Sequence, residues 1–403
     1  MRILHVICTL DPRHGGPPAV AARLAAAQAA LGHKVSIATF RRYHAADTYE
    51  PAERALAETP GSRAVGVHWL PDATRAERLV GTISRRRLPS IVGRAEAVHL
   101  HGVWEPMLVV AARAARRAGI PYVVRPAGML GSWALGRRSL KKRVALALVY
   151  RRMLDRARAV QALNADEAEN IRPLGLRAPV RIIPSGVFPE ELEKRAGGAA
   201  GAGGAGSSAG VLPGSLAAAA GHPYILFLSR LHKAKGLDLL ADAFAAVAGE
   251  FPEWHLVAAG PDFGVGPALR ARVERLGLAG RFHVPGAVYG KEKGALLAGA
   301  GVFALPSEHE GFSMAIVEAL ARGVPVVISR ECHFPEVSEV GAGIETAREA
   351  GAIAGALRAV MSDAGARERM GAAGRALVRE RFTWPVVAGR CVEVYGQGPA
   401  AQG

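Results

Sequence analysis

The chain has 403 residues, half of them hydrophobic and few of them aromatic, which predicts two or three domains with mainly aliphatic cores. Its net charge of +16 points to an acidic partner such as nucleic acid, anionic lipid or a phosphorylated substrate. The sequence contains no helix-turn-helix, zinc-finger or RNA-binding aromatic motif, so nucleic acid is not expected among its partners.

Cysteine usage and the apolar segments indicate a compartment. Cys8, Cys332 and Cys391 lie far apart and are odd in number, which excludes a disulfide framework or zinc spacing and fits a reducing compartment. The apolar run at residues 2–10 is too short for a convincing signal peptide, and no apolar uncharged stretch of about 18 residues predicts a transmembrane helix. We therefore expect a cytoplasmic protein.

The chain opens with a pattern typical of a βαβ unit. Strands are predicted over residues 1–7 and 35–40, with a helix over 19–31 between them. Gly15 and Gly16 in the first loop would let the backbone approach a ligand, and the following helix would offer N–H groups to an anion. The fingerprint G-x-G-x-x-G is absent, which disfavours a dinucleotide. An ordinary βα turn remains the alternative.

Two histidines mark the end of a later strand, predicted over residues 97–102. His99 and His101 share one face of the strand because side chains alternate with period two. A metal pair lacks a third ligand nearby in the sequence. We expect His101, just before Gly102, to point into a binding cleft, and a buried histidine with satisfied hydrogen bonds is the alternative.

The next predicted strand ends at Arg125, whose planar guanidinium suits an anionic group. Residues 137–158 then carry nine Lys or Arg against one acid, Asp155, with apolar residues interleaved. A basic helix of this kind is typical of an element that lies on an anionic membrane surface. The alternative is a solvated helix face whose other side belongs to the core.

Residues 196–221 are a Gly/Ala/Ser segment that predicts a flexible linker or disordered insert. The second half restarts with a strand over 224–228, followed by Arg230 and then by Lys235 at the start of a helix. Two cations at such a junction would bind a diphosphate and neutralise it as it departs, without a metal. A solvated basic loop is the alternative, and Lys233 is a rival for the role of Lys235.

Residues 303–329 form one strand–loop–helix–strand unit of a parallel sheet, with Ser313 as the predicted N-cap of a helix that ends before Gly323. Its loop lies at the carboxyl end of a strand, where α/β sheets bind ligands. Glu310 and Glu318 could bind vicinal hydroxyls while the helix N–H groups bind a phosphate. This indicates a ligand with both sugars and phosphates, although both glutamates could instead be surface residues.

The same stretch resembles a known family signature. Glu310-x7-Glu318, within PSEHEGFSMAIVEALARGVPVV, is similar to the E-x7-E motif of retaining glycosyltransferases of family 4, also called glycosyl transferase group 1. The pair Arg230-x4-Lys235 matches the family as well. The resemblance implies the glycosyltransferase-B fold, an α/β fold in which two Rossmann-like domains face each other across a cleft.

It also implies a domain plan. We expect residues 1–195 to bind the acceptor, 196–221 to link, and 222–380 to bind a nucleotide sugar. Residues 381–403 should form a helix that packs back on the first domain, and then a tail. Ser185 stands where the family's turn usually has Asn, so we do not expect Ser185 in the site.

The resemblance assigns roles to residues of both halves. Arg230 and Lys235 would neutralise the leaving diphosphate, Glu318 would hold the ribose hydroxyls and Glu310 those of the sugar. The remaining expected site residues are Gly311, Phe312 and Ser313 through their backbone N–H groups, His101 near the reaction centre, Gly15 and Gly16 facing the donor diphosphate, and Arg125.

The implied activity is retaining, metal-independent transfer of a hexose from a nucleotide-diphosphate sugar, without a cofactor, to a glycan or lipid-linked acceptor. A role in bacterial surface polysaccharide synthesis, with residues 137–158 on the inner face of the cell membrane, would fit. A nucleotide-sugar epimerase of the same fold and a non-catalytic binder of anionic ligands remain alternatives.

Overall fold

The structure, a computed structural model, describes residues 1–44, 47, 49–131, 144–192 and 221–396. The chain divides into two compact units. The first comprises Met1–Ser185 and Trp384–Gly403, and the second comprises Gly186–Thr383. The predicted linker, except Gly221, the first part of the predicted basic helix (137–143) and the tail (397–403) lie outside the described residues.

The described part of the first unit is built on a seven-stranded sheet with strand order β3-β2-β1-β4-β5-β6-β7. Every strand pairs in parallel with its neighbours. The strands are β1 Arg2–Val6, β2 Lys34–Phe40, β3 Val65–Leu70, β4 Ala97–His101, β5 Tyr122–Arg125, β6 Ala159–Ala162 and β7 Val180–Ile182. The central strands are buried on both faces, as expected when helices cover a parallel sheet.

Helices connect these strands. They span Gly16–Ala30, Tyr49–Ala57, Arg75–Val80, Thr82–Val92, Pro106–Arg117, Arg151–Asp155 and Ala165–Ile171, with a π-helical turn at Leu146–Tyr150. The first helix begins three residues earlier than the predicted 19–31, because proline in the first helical turn loses no intrahelical hydrogen bond. The last helix, Trp384–Gly396, belongs to this unit, and its Tyr395 hydroxyl accepts a hydrogen bond from Gln28 Nε2 at 3.0 Å.

The described part of the second unit holds a six-stranded parallel sheet with order β10-β9-β8-β11-β12-β13. Its strands are β8 Tyr224–Leu228, β9 His255–Ala259, β10 Phe282–Gly286, β11 Val302–Leu305, β12 Val326–Ser329 and β13 Gly343–Thr346. Its helices are Leu237–Val247, Gly266–Arg275, Gly290–Gly299, Met314–Ala321, Glu336–Glu339, Ala350–Ser362 and Ala364–Arg381. None of the helices in the described ranges combines the length and apolarity needed to span a bilayer.

Both sheets reverse their strand order beside the strand that comes first in the chain. After β1 the chain adds β2 and β3 on one side and then places β4 on the other; β8 and β11 have the same relation in the second unit. The loops that follow two such strands leave in opposite directions and open a crevice at the carboxyl edge, where ligands of α/β sheets bind. The predicted fold class, with two Rossmann-like parallel α/β domains, is confirmed.

Candidate functional site

In the second unit, the loop after β8 carries Arg230 and Lys235 to the point where the strand order reverses. Gly236 ends this loop with a left-handed φ of 69° and precedes the helix Leu237–Val247. A Cβ at Gly236 would lie 2.1 Å from the Pro306 carbonyl oxygen. Only glycine therefore lets the loop after β8 lie directly against the loop after β11.

Lys235 and Glu310 join these two loops. The Lys235 Nζ donates to Glu310 Oε1 at 2.6 Å, and the side chains are only 11% and 12% exposed. A backbone hydrogen bond from Glu308 N to the Ala234 carbonyl, at 2.7 Å, runs beside the ion pair. The cation and the carboxylate are thus held in one place, at the carboxyl ends of neighbouring strands.

Arg230 has a different environment. Its guanidinium is exposed and lies over the Phe263 ring, 5.6 Å from the ring centroid. An aromatic face orients a guanidinium while leaving its N–H groups at the edge of the plane. The structure therefore places Lys235 on Glu310 and Arg230 on Phe263, while Lys233 is exposed.

Glu318 lies within the helix Met314–Ala321 and is 7% exposed. Its Oε1 accepts a hydrogen bond from Lys293 Nζ at 2.8 Å. A carboxylate at this depth requires such a partner. Lys293 lies in the helix Gly290–Gly299, before β11. The spacing of residues around Glu318 therefore did not predict that Lys293 would be its partner.

Between the two glutamates lie Gly311, Phe312 and Ser313. The Phe312 ring packs against Phe334 at 5.7 Å and Phe382 at 6.0 Å, which anchors the loop. Ser313 is the N-cap residue, as predicted, but within the described structure its hydroxyl makes no capping hydrogen bond. The N–H groups of the first helical turn are therefore not bound by the usual side-chain cap.

In the first unit, Gly15 and Gly16 follow β1 at the corresponding reversal point. Both are exposed, and Gly15 has a φ of 88°. The helix Gly16–Ala30 starts directly after this turn. The N-terminal N–H groups of a fifteen-residue helix thus lie next to an exposed glycine turn, as the sequence predicted.

His101 ends β4 on the other side of this reversal point and is 3% exposed. It stacks on His99 with ring centroids 4.6 Å apart, which confirms that the two share one face. Its Nε2 is 2.9 Å from Nδ1 of His5 on β1. Burial, aided by His99, His5 and Arg125, lowers the pKa of His101 well below its usual value, so its ring is neutral.

Arg125 ends β5 and is buried, with Nη2 donating to Ser185 Oγ at 2.9 Å. Burial lowers the pKa of the Arg125 guanidinium to about 10. Its Nη1 has no hydrogen-bond partner among the described residues. No role was assigned to Ser185 from the sequence. Its hydroxyl accepts the hydrogen bond from the Arg125 guanidinium and so orients that side chain.

Two family models match the chain in succession. The model for a glycosyl transferase 4-like domain matches residues 15–186, and that for glycosyl transferases group 1 matches residues 212–377, which include Lys235, Glu310 and Glu318. The chain belongs to the group 1 glycosyl transferases. This confirms the resemblance seen in the E-x7-E stretch.

Curated relatives of this group 1 chain include mannosyltransferases. A phosphatidyl-myo-inositol mannosyltransferase of Mycobacterium tuberculosis is 36% identical over 42% of this chain and 46% of that protein. The match to an MMP alpha-(1->4)-mannosyltransferase of Mycolicibacterium hassiacum, at 36% identity, covers 31% of the relative, so the chain spans about a third to a half of these proteins. A GDP-mannose:cellobiosyl-diphosphopolyprenol alpha-mannosyltransferase of Xanthomonas campestris is 25% identical over a match that covers 98% of this chain and 96% of the Xanthomonas protein.

Solved structures with the same fold include Anabaena HepE in complex with UDP and glucose. It covers 98% of both chains with a TM-score of 0.71 at 20% identity. Sucrose-phosphate synthase from Thermosynechococcus elongatus covers 98% of both chains with a TM-score of 0.67 at 19% identity. These similarities show that the group 1 chain has the glycosyltransferase-B fold.

Other residues near the site of this group 1 chain were not predicted from the sequence. Glu105 follows β4, and burial raises the pKa of its carboxyl to about 7. Its Oε2 has no hydrogen-bond partner in the part of the chain that the structure describes. An acid four residues after His101, at the end of a strand, was the available signal. His5 and Gln28 gave none, because their neighbours come from distant parts of the sequence.

Proposed function

We propose that the protein transfers a hexose from a nucleotide-diphosphate sugar to an acceptor hydroxyl, with retention of anomeric configuration. The observation that carries the proposal is the ion pair of Lys235 and Glu310 at the reversal point of the second sheet. The Lys235 cation at this point would bind a diphosphate, and the Glu310 carboxylate beside it would bind sugar hydroxyls. Family membership supports the same chemistry.

The donor would bind to the second unit. Lys235 and the exposed Arg230 neutralise the diphosphate, and the N–H groups of Gly311, Phe312 and Ser313 bind the ligand's anionic or hydroxyl oxygens. Glu310 holds sugar hydroxyls and Glu318 holds those of the ribose. Each carboxylate is already oriented by a lysine, at 2.6 Å and 2.8 Å, which reduces the cost of positioning it on binding.

The reaction would proceed on one face of the sugar. The bond from the anomeric carbon to the diphosphate oxygen breaks, and the acceptor oxygen forms its bond on the same side. The acceptor proton passes to the departing diphosphate oxygen, so no side-chain base and no resident cofactor or metal is invoked. Lys235 and Arg230 supply the charge that stabilises the diphosphate as it leaves.

The acceptor would bind to the first unit. Its carboxyl edge carries His101 and the buried Arg125, each of which is the last residue of a strand. Arg125 has an N–H group without a described partner, which suits an anionic group on the substrate. The names of the mannosyltransferase relatives favour GDP-mannose as the donor and a lipid-linked glycan as the acceptor.

The helical stretch from Val144 to Asp155 supports attachment to an anionic membrane surface. Leu148 is 80% exposed, and Val144 and Val149 are also exposed. Arg152 follows within one turn and is exposed, whereas the Arg151 guanidinium donates to Asp155 and to two backbone carbonyls. The opposite side of the stretch is buried through Leu146, Tyr150, Met153 and Leu154. Apolar side chains beside arginines fit a lipid surface, and we propose a peripheral position on the inner face of the cell membrane.

A transfer assay tests the proposed function. The full chain is incubated with GDP-mannose or UDP-glucose and a bacterial lipid extract, and the product linkage is read from the anomeric proton by NMR. We expect a lipid-linked product with the donor's configuration, which Lys235→Ala abolishes and Lys233→Ala preserves. Inverted product would overturn retention. Conversion of the donor sugar without transfer would favour an epimerase instead.

A further inference from the structure

A chain of buried hydrogen bonds runs from the last helix to His101. Gln28 Nε2 donates to the Tyr395 hydroxyl at 3.0 Å. Gln28 Oε1 meets His5 Nε2 at 2.8 Å, and His5 Nδ1 meets His101 Nε2 at 2.9 Å. The four side chains come from the helix Trp384–Gly396, the helix Gly16–Ala30, β1 and β4, all within the first unit.

With Nε2 of Gln28 on the Tyr395 hydroxyl and Oε1 on His5, the Gln28 amide determines the position of every proton along these hydrogen bonds. Its Oε1 can only accept, so His5 carries its proton on Nε2. Burial lowers the pKa of His5 to about 4, so its ring is neutral. Because the single ring proton is on Nε2, the Nδ1 of His5 is unprotonated. His101 must then donate from Nε2. Because His101 is also neutral, its Nδ1 is bare too.

The Nδ1 of His101 is buried and has no hydrogen-bond partner among the described residues. Leaving a buried acceptor without a donor is unfavourable, because the group loses its water without gaining a partner. His101 lies at the point where the first sheet reverses its strand order, where α/β folds place ligands. An unpartnered acceptor at such a place indicates a ligand that brings its own donor.

We propose that three positioning residues, Tyr395, Gln28 and His5, hold His101 in the tautomer whose Nδ1 carries no proton. This Nδ1 accepts a hydrogen bond from a substrate hydroxyl. The part concerning the substrate rests on the proposed function. This series of hydrogen bonds would link the substrate contact to the last helix, which supplies Tyr395. The opposite orientation of the Gln28 amide would reverse every proton and present Nδ1–H to the ligand.

His99 belongs to the same cluster and is compatible with this arrangement of protons. Its Nδ1 is 2.7 Å from the Tyr395 hydroxyl. Because that hydroxyl accepts from Gln28, its own proton is available for His99 Nδ1. The Arg125 guanidinium acts on both His99 and His101 and disfavours a charged ring in either. The whole cluster is therefore neutral and can be occupied by one consistent set of protons.

Histidine 15N NMR of the full chain tests the tautomer without any substrate. Long-range proton–nitrogen spectra distinguish a bare ring nitrogen from a protonated one, and His101→Gln identifies the signals of residue 101. We expect a single Nε2–H tautomer at His101 in the wild type. Gln28→Leu, which removes the acceptor that faces His5 Nε2, should give mixed tautomers. An Nδ1–H tautomer or a mixture in the wild type would overturn the proposal.

Kinetics test the substrate contact. We expect Gln28→Leu to lower kcat/KM roughly tenfold, which corresponds to the loss of about one hydrogen bond. Full activity in a Gln28→Leu variant that has mixed tautomers would overturn the positioning role. If the wild type transfers no sugar from any donor, the proposed function fails, whereas the NMR result still decides the tautomer. Far-ultraviolet circular dichroism confirms that each variant is folded.

Discussion

Lys235 and Lys233 are two residues apart, yet within the described structure Lys235 is the one of the two that a carboxylate holds. Lys235→Ala would remove the cation expected at the diphosphate and leave Glu310 buried without its partner. We expect kcat/KM to fall by about 100-fold or more, as when one transition-state donor is lost. The unfolding free energy should fall by about 2–3 kcal/mol, somewhat less than for a fully buried pair.

Lys233→Ala is the matched control for this prediction, since it removes the same charge from an exposed position of the same loop. Steady-state kinetics and denaturant unfolding of both variants provide the comparison. Equal losses in the two variants would mean that the loop acts through net charge alone.

The buried histidines make stability depend on pH. The folded pKa of His99 is lowered well below the usual 6.5 by burial, His5 and Arg125, and that of His5 falls to about 4. The unfolded chain then binds more protons below pH 6.5, so stability must fall as pH drops from about 6.5 toward 4. Each histidine contributes at most about 1.4 kcal/mol per pH unit.

Urea unfolding at pH 7.5, 6.5 and 5.5 measures this dependence. We expect His99→Gln to show a shallower loss of stability with falling pH than the wild type, because it removes one group from the titration. Identical slopes in the two proteins would show that His99 is not held neutral by the fold.

At the scale of elements, the contact between the loops after β8 and β11 depends on Gly236. Gly236 and Gly277 have nearly the same φ, 69° and 68°, but only Gly236 has backbone atoms where a Cβ would lie. Gly277→Ala should therefore cost about 1–2 kcal/mol for the left-handed conformation alone. Gly236→Ala should cost distinctly more and should also weaken nucleotide binding, because it separates Lys235 from Glu310.

Thermal unfolding with and without nucleotide compares the two glycine variants. If Gly236→Ala matched Gly277→Ala in both stability and nucleotide binding, the two loops would not need this close approach.

The helical stretch around Leu148 is the element expected at the lipid surface. Leu148→Asp should reduce cosedimentation with vesicles that contain anionic lipid. The aspartate would replace an apolar side chain at the bilayer with a charge, and that charge has the same sign as the lipid headgroups. Leu31→Asp is the control, since Leu31 is another exposed leucine of the first unit. Equal vesicle binding by both variants and the wild type would contradict a membrane role for this stretch.

At the scale of the whole molecule, patterning was enough to predict both α/β units, the strands that end at His101 and Arg125, and the loops with Lys235 and Glu310. These features are local, because hydrophobic period and turn residues act over a few positions. The partners of the site residues were not predictable in the same way. Lys293 meets Glu318 from a different helix, and His5 meets His101 from a strand 96 residues away.

The measurement that tests the central claim most directly is binding of nucleotide sugars to the second unit's ion pair. A thermal-shift panel of GDP-mannose, UDP-glucose and ADP-glucose is run on the full-length wild type, Lys235→Ala and Lys233→Ala. A ligand at 100 times its Kd should stabilise the folded protein by about 2.7 kcal/mol. We predict a shift with one nucleotide, GDP-mannose first, that is lost in Lys235→Ala and kept in Lys233→Ala. No shift with any nucleotide sugar, for a folded wild type, would contradict the proposal of a nucleotide-sugar transferase.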